Sequence, residues 1–159
     1  MTLPPDILRR APKVLLHDHL DGGLRPQTVI ELAEQADYQD LPATDATELA
    51  RWFAESAYSG SLERYLETFQ HTVGVTQSAD ALARVARECA EDLAADGVVY
   101  AEVRFAPELH VERGMSLHEV IDAVLAGFEQ GTAAARNNGQ WVRIGVLLTA
   151  MRTATHSKQ

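Results

Sequence analysis

Three stretches of the chain are apolar over strand length and close on turn formers, and between them apolar positions recur at helical spacing. The first is Val14 to Leu20, ended by Asp21-Gly22-Gly23. The second is Val98 to Phe105, stopped by Pro107, and the third is Trp141 to Leu148, preceded by Asn137-Asn138-Gly139. Pro26 is placed to open a helix through Val29, Ile30, Leu32 and Ala33. Ser78 can cap a helix carrying Leu82, Val85, Ala86, Cys89 and Leu93, which Gly97 ends. Ser116 with Glu119 forms a capping-box pattern ahead of Val120, Val124, Leu125 and Phe128. Stretches 48–54 and 62–73 also read as helices and lengthen the first connection.

Strands separated by helices predict an α/β fold with parallel pairing and right-handed crossovers. That leaves an open doubly wound sheet or a piece of a (β/α) barrel. No glycine-rich phosphate loop follows the first strand, which weakens the dinucleotide-binding form of the open sheet. Polar residues inside the strands favour the barrel: His17 with His19, and Glu102 with Arg104, would aim inward near its mouth. Glu102 and Arg104 are expected to be structural, paired with each other or with Arg152.

With 159 residues, one substantial core is affordable, and neither repeats nor low-complexity tracts are present. The 23 Asp and Glu against 14 Lys and Arg argue against nucleic acid or an anionic membrane as partner. Cys89 is the single cysteine, so no intrachain disulfide is possible, and its helical position makes it a small core residue. Residues 1–5 lack the regions of a signal peptide, and the expected compartment is the cytoplasm.

The candidate chemistry begins with His17 and His19. Side chains alternate along a strand, so both imidazoles leave one face and can converge on a metal ion. Imidazole suits zinc, which needs further protein ligands. Taken alone, the pair fits equally well with two histidines satisfied by hydrogen bonds at a strand end. Asp21, before two glycines, is by itself an ordinary turn former. Leu62, Tyr65, Leu66 and Phe69 fall on one helix side, a stripe that on its own reads as core packing. Met151 alone is an unremarkable core methionine. Asp18 would face the helix layer and need a partner there. The remaining histidines, His71, His110, His118 and His156, are expected at solvated positions.

The run Pro12-Lys13-Val14-Leu15-Leu16-His17-Asp18-His19-Leu20-Asp21-Gly22, followed by Arg25-Pro26, resembles the first-strand signature of adenosine deaminases in the amidohydrolase superfamily. The stretch Gly97 to Pro107 is similar to the family's second strand, and Ile144 to Arg152 to its third. The resemblance implies the N-terminal portion, about three β/α units, of a (β/α)₈ TIM barrel with its site at the C-terminal strand ends. It implies Zn2+ as cofactor, with His17 and His19 as two of its ligands. It implies that His19 and Asp21 position the ribose 5′-hydroxyl of a purine nucleoside. Relatives acting on free adenine carry glutamate in place of that aspartate, so Asp21 leans toward a nucleoside. Leu62 to Phe69 resembles the helical lid that closes over the purine, with Leu62, Tyr65, Leu66 and Phe69 as contacts and Met151 at the pocket mouth.

The implied reaction is hydrolytic deamination of adenosine or deoxyadenosine to inosine and ammonia, in purine salvage. The implied organisation is a partial barrel over 1–152, a lid-like helical insertion around 44–75, and a polar tail over 153–159 unlike the family. The family's third zinc-binding histidine, its proton-shuttling glutamate, its water-polarising histidine and its paired aspartates have no counterpart here. The chain alone is therefore expected to be inactive and to self-associate through open barrel edges. The alternatives are an adenine or AMP deaminase-like hydrolase, or a non-catalytic remnant that binds a nucleoside or a partner.

Overall fold

The computed structural model describes residues 4–151. A short helix α1 (Pro5–Arg10) leads into strand β1 (Lys13–His19). A 3-10 turn over Leu20–Gly22 follows, then helices α2 (Pro26–Ala36), α3 (Ala46–Ala57), α4 (Leu62–Val75) and α5 (Ala79–Ala95). Strand β2 (Val98–Phe105), a second 3-10 turn (Pro107–His110), α6 (Leu117–Asn137) and β3 (Arg143–Leu148) complete the order.

The helix boundaries follow local chemistry. Pro26 occupies the first turn of α2. The Ser78 hydroxyl accepts from the Ala81 amide at the start of α5, and Gly97 leaves that helix at φ 82°. Ser116 and Glu119 form the complete capping box of α6. Asp45 and Ser61, which accept amide hydrogen bonds at the starts of α3 and α4, cap those helices in the same way. Helix α1 and both 3-10 turns lack any apolar periodicity and were not expected. β3 opens at Arg143 rather than Trp141, since Tyr100 of β2 first finds its partner at Arg143.

All three strands are parallel, in the spatial order β1-β2-β3. Each strand thus lies beside its sequence neighbour, as in a barrel, with no reversal of order of the kind that defines a doubly wound switch point. The pairing of β1 with β2 is irregular between Leu15 and Asp18, where Leu15 faces Ala101 and Asp18 faces Val103. One extra residue on β1 falls between Leu15 and Asp18, in the stretch that holds His17, and such bulges are common beside functional sites.

The core lies between β2 and the pair α5 and α6. Ala101, Val103 and Phe105 are buried on one face of β2, while Tyr100, Glu102 and Arg104 alternate onto the other. Two glycines one turn apart let the helices touch. A Cβ on Gly127 would stand 2.2 Å from the Ala83 carbonyl oxygen, and one on Gly131 would stand 2.4 Å from that of Arg87. A charged network joins α2 to α5: the buried Glu88 carboxylate accepts from Thr28 Oγ1 at 2.6 Å and Arg84 Nε at 2.9 Å. Arg25 donates to Asp92 at 2.7 Å and 2.9 Å. Glu88 is buried but hydrogen-bonded from two sides, which is the condition for tolerating such a charge.

The edges differ. Val14 and Leu16 on β1 are 59% and 57% exposed, and Trp141 and Leu148 beside and on β3 are 58% and 55% exposed. Cys89 is packed against the core, and burial pushes its thiol up to about 12. Asp18 is half-buried, and its Oδ1 accepts the His19 backbone N–H at 2.9 Å, so the partner it required is its own neighbour. No described helix is long and apolar enough to cross a membrane.

Candidate active site

A cavity of about 260 Å³ opens at the C-terminal ends of the three strands. The end of β1 and the turn after it supply His19 and Asp21. Helix α4 lays Tyr65, Leu66 and Phe69 across the opening, and Met151 closes the side beyond β3. Phe105, Ala106, Leu109 and Thr149 form the rest of the wall. The lining is mostly apolar with a few convergent polar groups, the usual character of a small-molecule site.

The aromatic rings are packed edge to face. Phe69 stands 6.2 Å from His19 and 5.3 Å from Tyr65, centroid to centroid. Gly22 permits this approach, because a Cβ there would lie 3.3 Å from the Phe69 ring. His17 and His19 lie 5.3 Å apart with their planes tilted by 38°, so the strand brings both imidazoles together despite the irregularity around His17. Asp21 is buried, with Oδ1 3.6 Å from His19 Nδ1. Burial raises its carboxyl above the usual range, partly offset by the attraction of His19. The segment after β3 is pinned by two hydrogen bonds, Thr149 N to Phe105 O at 2.9 Å and Met151 N to Glu108 Oε1 at 3.0 Å.

His19, Asp21, Tyr65, Leu66, Phe69 and Met151 thus meet around one cavity. His17 lies outside its lining and is exposed. Leu62 also stands apart: it is the first residue of α4 and 70% exposed. Phe105, Ala106, Leu109 and Thr149 were missed. Phe105 ends a strand whose stop at Pro107 was visible in the sequence, and that position was the available signal. Leu109 enters through a four-residue turn that no periodicity announces.

Two histidine expectations are not met, those for His110 and His71. His110 is not at a solvated loop but 2% exposed, because the Pro107–His110 turn folds it under Phe105 and against Thr76. His71 is half-buried and hydrogen-bonded to Tyr38 Oη at 2.9 Å, whereas His118 is exposed as expected. No ion pair joins Glu102 to Arg104. Glu102 instead accepts from Tyr100 Oη at 3.2 Å, and Arg104 Nε has no hydrogen-bond partner among the described residues. Arg152, His156 and the tail 153–159 lie outside the described residues.

The donor chemistry of a zinc site is half supplied. Two neighbouring imidazoles are of the right type, but among the described residues no group of three His, Cys, Asp or Glu side chains could hold an ion. A larger groove of about 420 Å³ runs between α6 and β3, lined by Leu125, Phe128, Trp141, Ile144 and Val146. None of the residues lining it is a histidine.

The parallel sheet in sequential order, with its pocket at the strand ends, is the architecture of the N-terminal portion of a TIM barrel. The adenosine deaminase family model matches residues 12–159, and the chain belongs to that family. It is 66% identical over 156 residues to adenosine deaminase 1 of Streptomyces coelicolor, covering 98% of this chain and 39% of that protein. Adenosine deaminase of Mycolicibacterium vanbaalenii is 66% identical over 154 residues, covering 97% and 42%. The chain therefore spans about two fifths of the length of these relatives. Among solved structures, an Arabidopsis N6-mAMP deaminase superposes with a TM-score of 0.75 at 25% identity, over 96% of this chain and 45% of that one. An amidohydrolase from Burkhoderia ambifaria with bound Zn gives 0.69 at 26% identity, over 88% and 36%.

Proposed function

We propose that this chain carries the nucleoside-holding groups and half of the metal-holding groups of a zinc-dependent adenosine deaminase. The reaction it serves adds water at C6 of adenosine or deoxyadenosine and releases ammonia, leaving inosine or deoxyinosine. The observation that carries the reading is the meeting of His19, Asp21, Tyr65, Phe69 and Met151 around one apolar cavity at the strand ends. The names of the most similar relatives support it.

In this reading His17 and His19 would hold the metal, whose contribution when bound is to acidify water at neutral pH. Asp21 accepts a hydrogen bond from the sugar hydroxyl, with His19 beside it. Tyr65, Leu66 and Phe69 exclude water from the purine, and Met151 closes the far wall. The described residues offer this cavity no carboxylate besides Asp21 to shuttle a proton, and Asp21 is occupied by the sugar. The chain by itself is inactive.

The test is zinc content and nucleoside calorimetry on the full 159-residue chain. Adenosine heats lost in Asp21→Ala, and zinc retention lost in both His17→Ala and His19→Ala, are the expected results. Tighter binding of AMP or of free adenine than of adenosine would move the assignment to those substrates. No binding of any purine would leave a non-catalytic remnant. The exposed Val14, Leu16, Trp141 and Leu148 further support self-association, since apolar strand edges recruit partners.

A further inference from the structure

Asp21 Oδ1 and His110 Nε2 are buried, and neither has a hydrogen-bond partner among the described residues. Both residues line one small cavity of about 10 Å³, whose third polar member is Thr76 and whose apolar wall includes Leu20, Leu82 and Val85. Their side chains are 8% and 2% exposed, so bulk water does not satisfy them.

Neighbouring hydrogen bonds settle which kind of partner is needed. His110 Nδ1 lies 3.2 Å from the Thr76 carbonyl oxygen, which can only accept, and 3.0 Å from Thr76 Oγ1. The Thr76 hydroxyl spends its own proton on the Thr72 carbonyl at 2.8 Å, leaving Oγ1 a lone pair for the imidazole. Nδ1 therefore carries the ring proton, which leaves the buried Nε2 an acceptor without a donor. The Asp21 carboxylate is an acceptor as well. Two acceptors cannot bond to each other, but one molecule with two hydrogens satisfies both. A space of about 10 Å³ is at the lower limit for a single water.

The geometry points to one buried water that donates to His110 Nε2 and to Asp21 Oδ1, making His110 a positioning residue for the carboxylate at the nucleoside cavity. The chain runs from the end of α4 through Thr76, His110 and the water to Asp21. It couples the helix that covers the purine to the group that grips the sugar. His19 does not substitute for the water, because its Nδ1 is 3.6 Å from Oδ1, beyond hydrogen-bond length. The consequence for nucleoside binding rests on the function proposed above; the bridge itself does not.

Two measurements on the full chain separate these levels. Long-range proton–nitrogen NMR of the imidazoles at neutral pH is expected to show His110 as the Nδ1–H tautomer, with cross-relaxation from a long-lived water to its ring protons. A protonated Nε2, or no such water, overturns the bridge whether or not nucleosides bind. Calorimetry then compares adenosine with 5′-deoxyadenosine. His110→Phe keeps a ring without an acceptor and is expected to weaken adenosine about five-fold, the effect of one lost hydrogen bond. 5′-Deoxyadenosine, which lacks the hydroxyl Asp21 would grip, should be unchanged, and His110→Gln, which restores an acceptor, should recover adenosine to within about two-fold. Equal losses for both nucleosides, or no recovery in His110→Gln, overturn the positioning role. Failure of the unmodified chain to bind adenosine overturns the functional reading alone, because the NMR result still decides the bridge.

Discussion

The centre of this molecule and its edges are built to different standards. Around β2, helices α5 and α6 approach until glycines replace side chains at the contact, and the strand's helix-facing side is sealed. At β1 and β3 the same apolar alternation ends in exposed Val14, Leu16 and Leu148, with Trp141 lying open just ahead of β3. The residues with chemical potential sit on the weaker side, since His17 and His19 belong to edge strand β1. Folding free energy and functional groups are thus carried by different parts of the chain. The pocket depends on α4 and the pinned segment after β3 to hold the edge residues in place.

The sharpest way to break this contrast is at the centre. Gly127→Leu must push α6 away from the Ala83 carbonyl and is expected to cost about 3 kcal/mol or more in urea unfolding. Even Gly127→Ala should destabilise by about 1 kcal/mol, because the clash with backbone outweighs alanine's better helix propensity. An unchanged midpoint for either would mean that the centre is not close-packed.

Second in size is a pH effect at His110. Burial lowers its pKa from 6.5 to about 4, so the fold prefers the neutral ring. The stabilisation is complete above the unfolded value and is lost as pH falls from about 6.5 through 4, up to about 3 kcal/mol. His110→Phe should lack this decline, and parallel stability curves for the two proteins would contradict it.

At the edges the effects on stability should be small. Leu16→Lys and Trp141→Lys are expected to change unfolding by no more than about 0.5 kcal/mol each. Self-association in sedimentation velocity should fall together with them, and association unaffected by both would place the contact elsewhere. Smallest of all is Cys89: with its thiol pushed up to about 12, a disulfide reagent at pH 8 should label the folded chain only as fast as it opens.

Much of this was legible because it is local. The three strands, the proline start of α2, the Ser78 cap of α5 and the capping box of α6 all follow from spacing and from residues that satisfy free amides. His17 and His19 were legible as a pair because strand alternation puts them together, and Asp21 by its place in a longer motif. The rest depends on tertiary contact. Leu109 reaches the cavity, and His110 is buried, only because a 3-10 turn folds back beneath Phe105. Leu62 shares the helical stripe of Phe69 yet remains exposed, since periodicity gives a face but not where along the helix that face meets a neighbour.

The central claim is that the cavity between α4 and the strand ends receives a purine nucleoside. Methionine-methyl NMR during an adenosine titration tests it most directly, because Met151 lines the cavity and Met115 does not. The account predicts a saturable shift of the Met151 methyl that disappears in Asp21→Ala, with Met115 unmoved. A silent Met151, or equal shifts at both methyls, would contradict it.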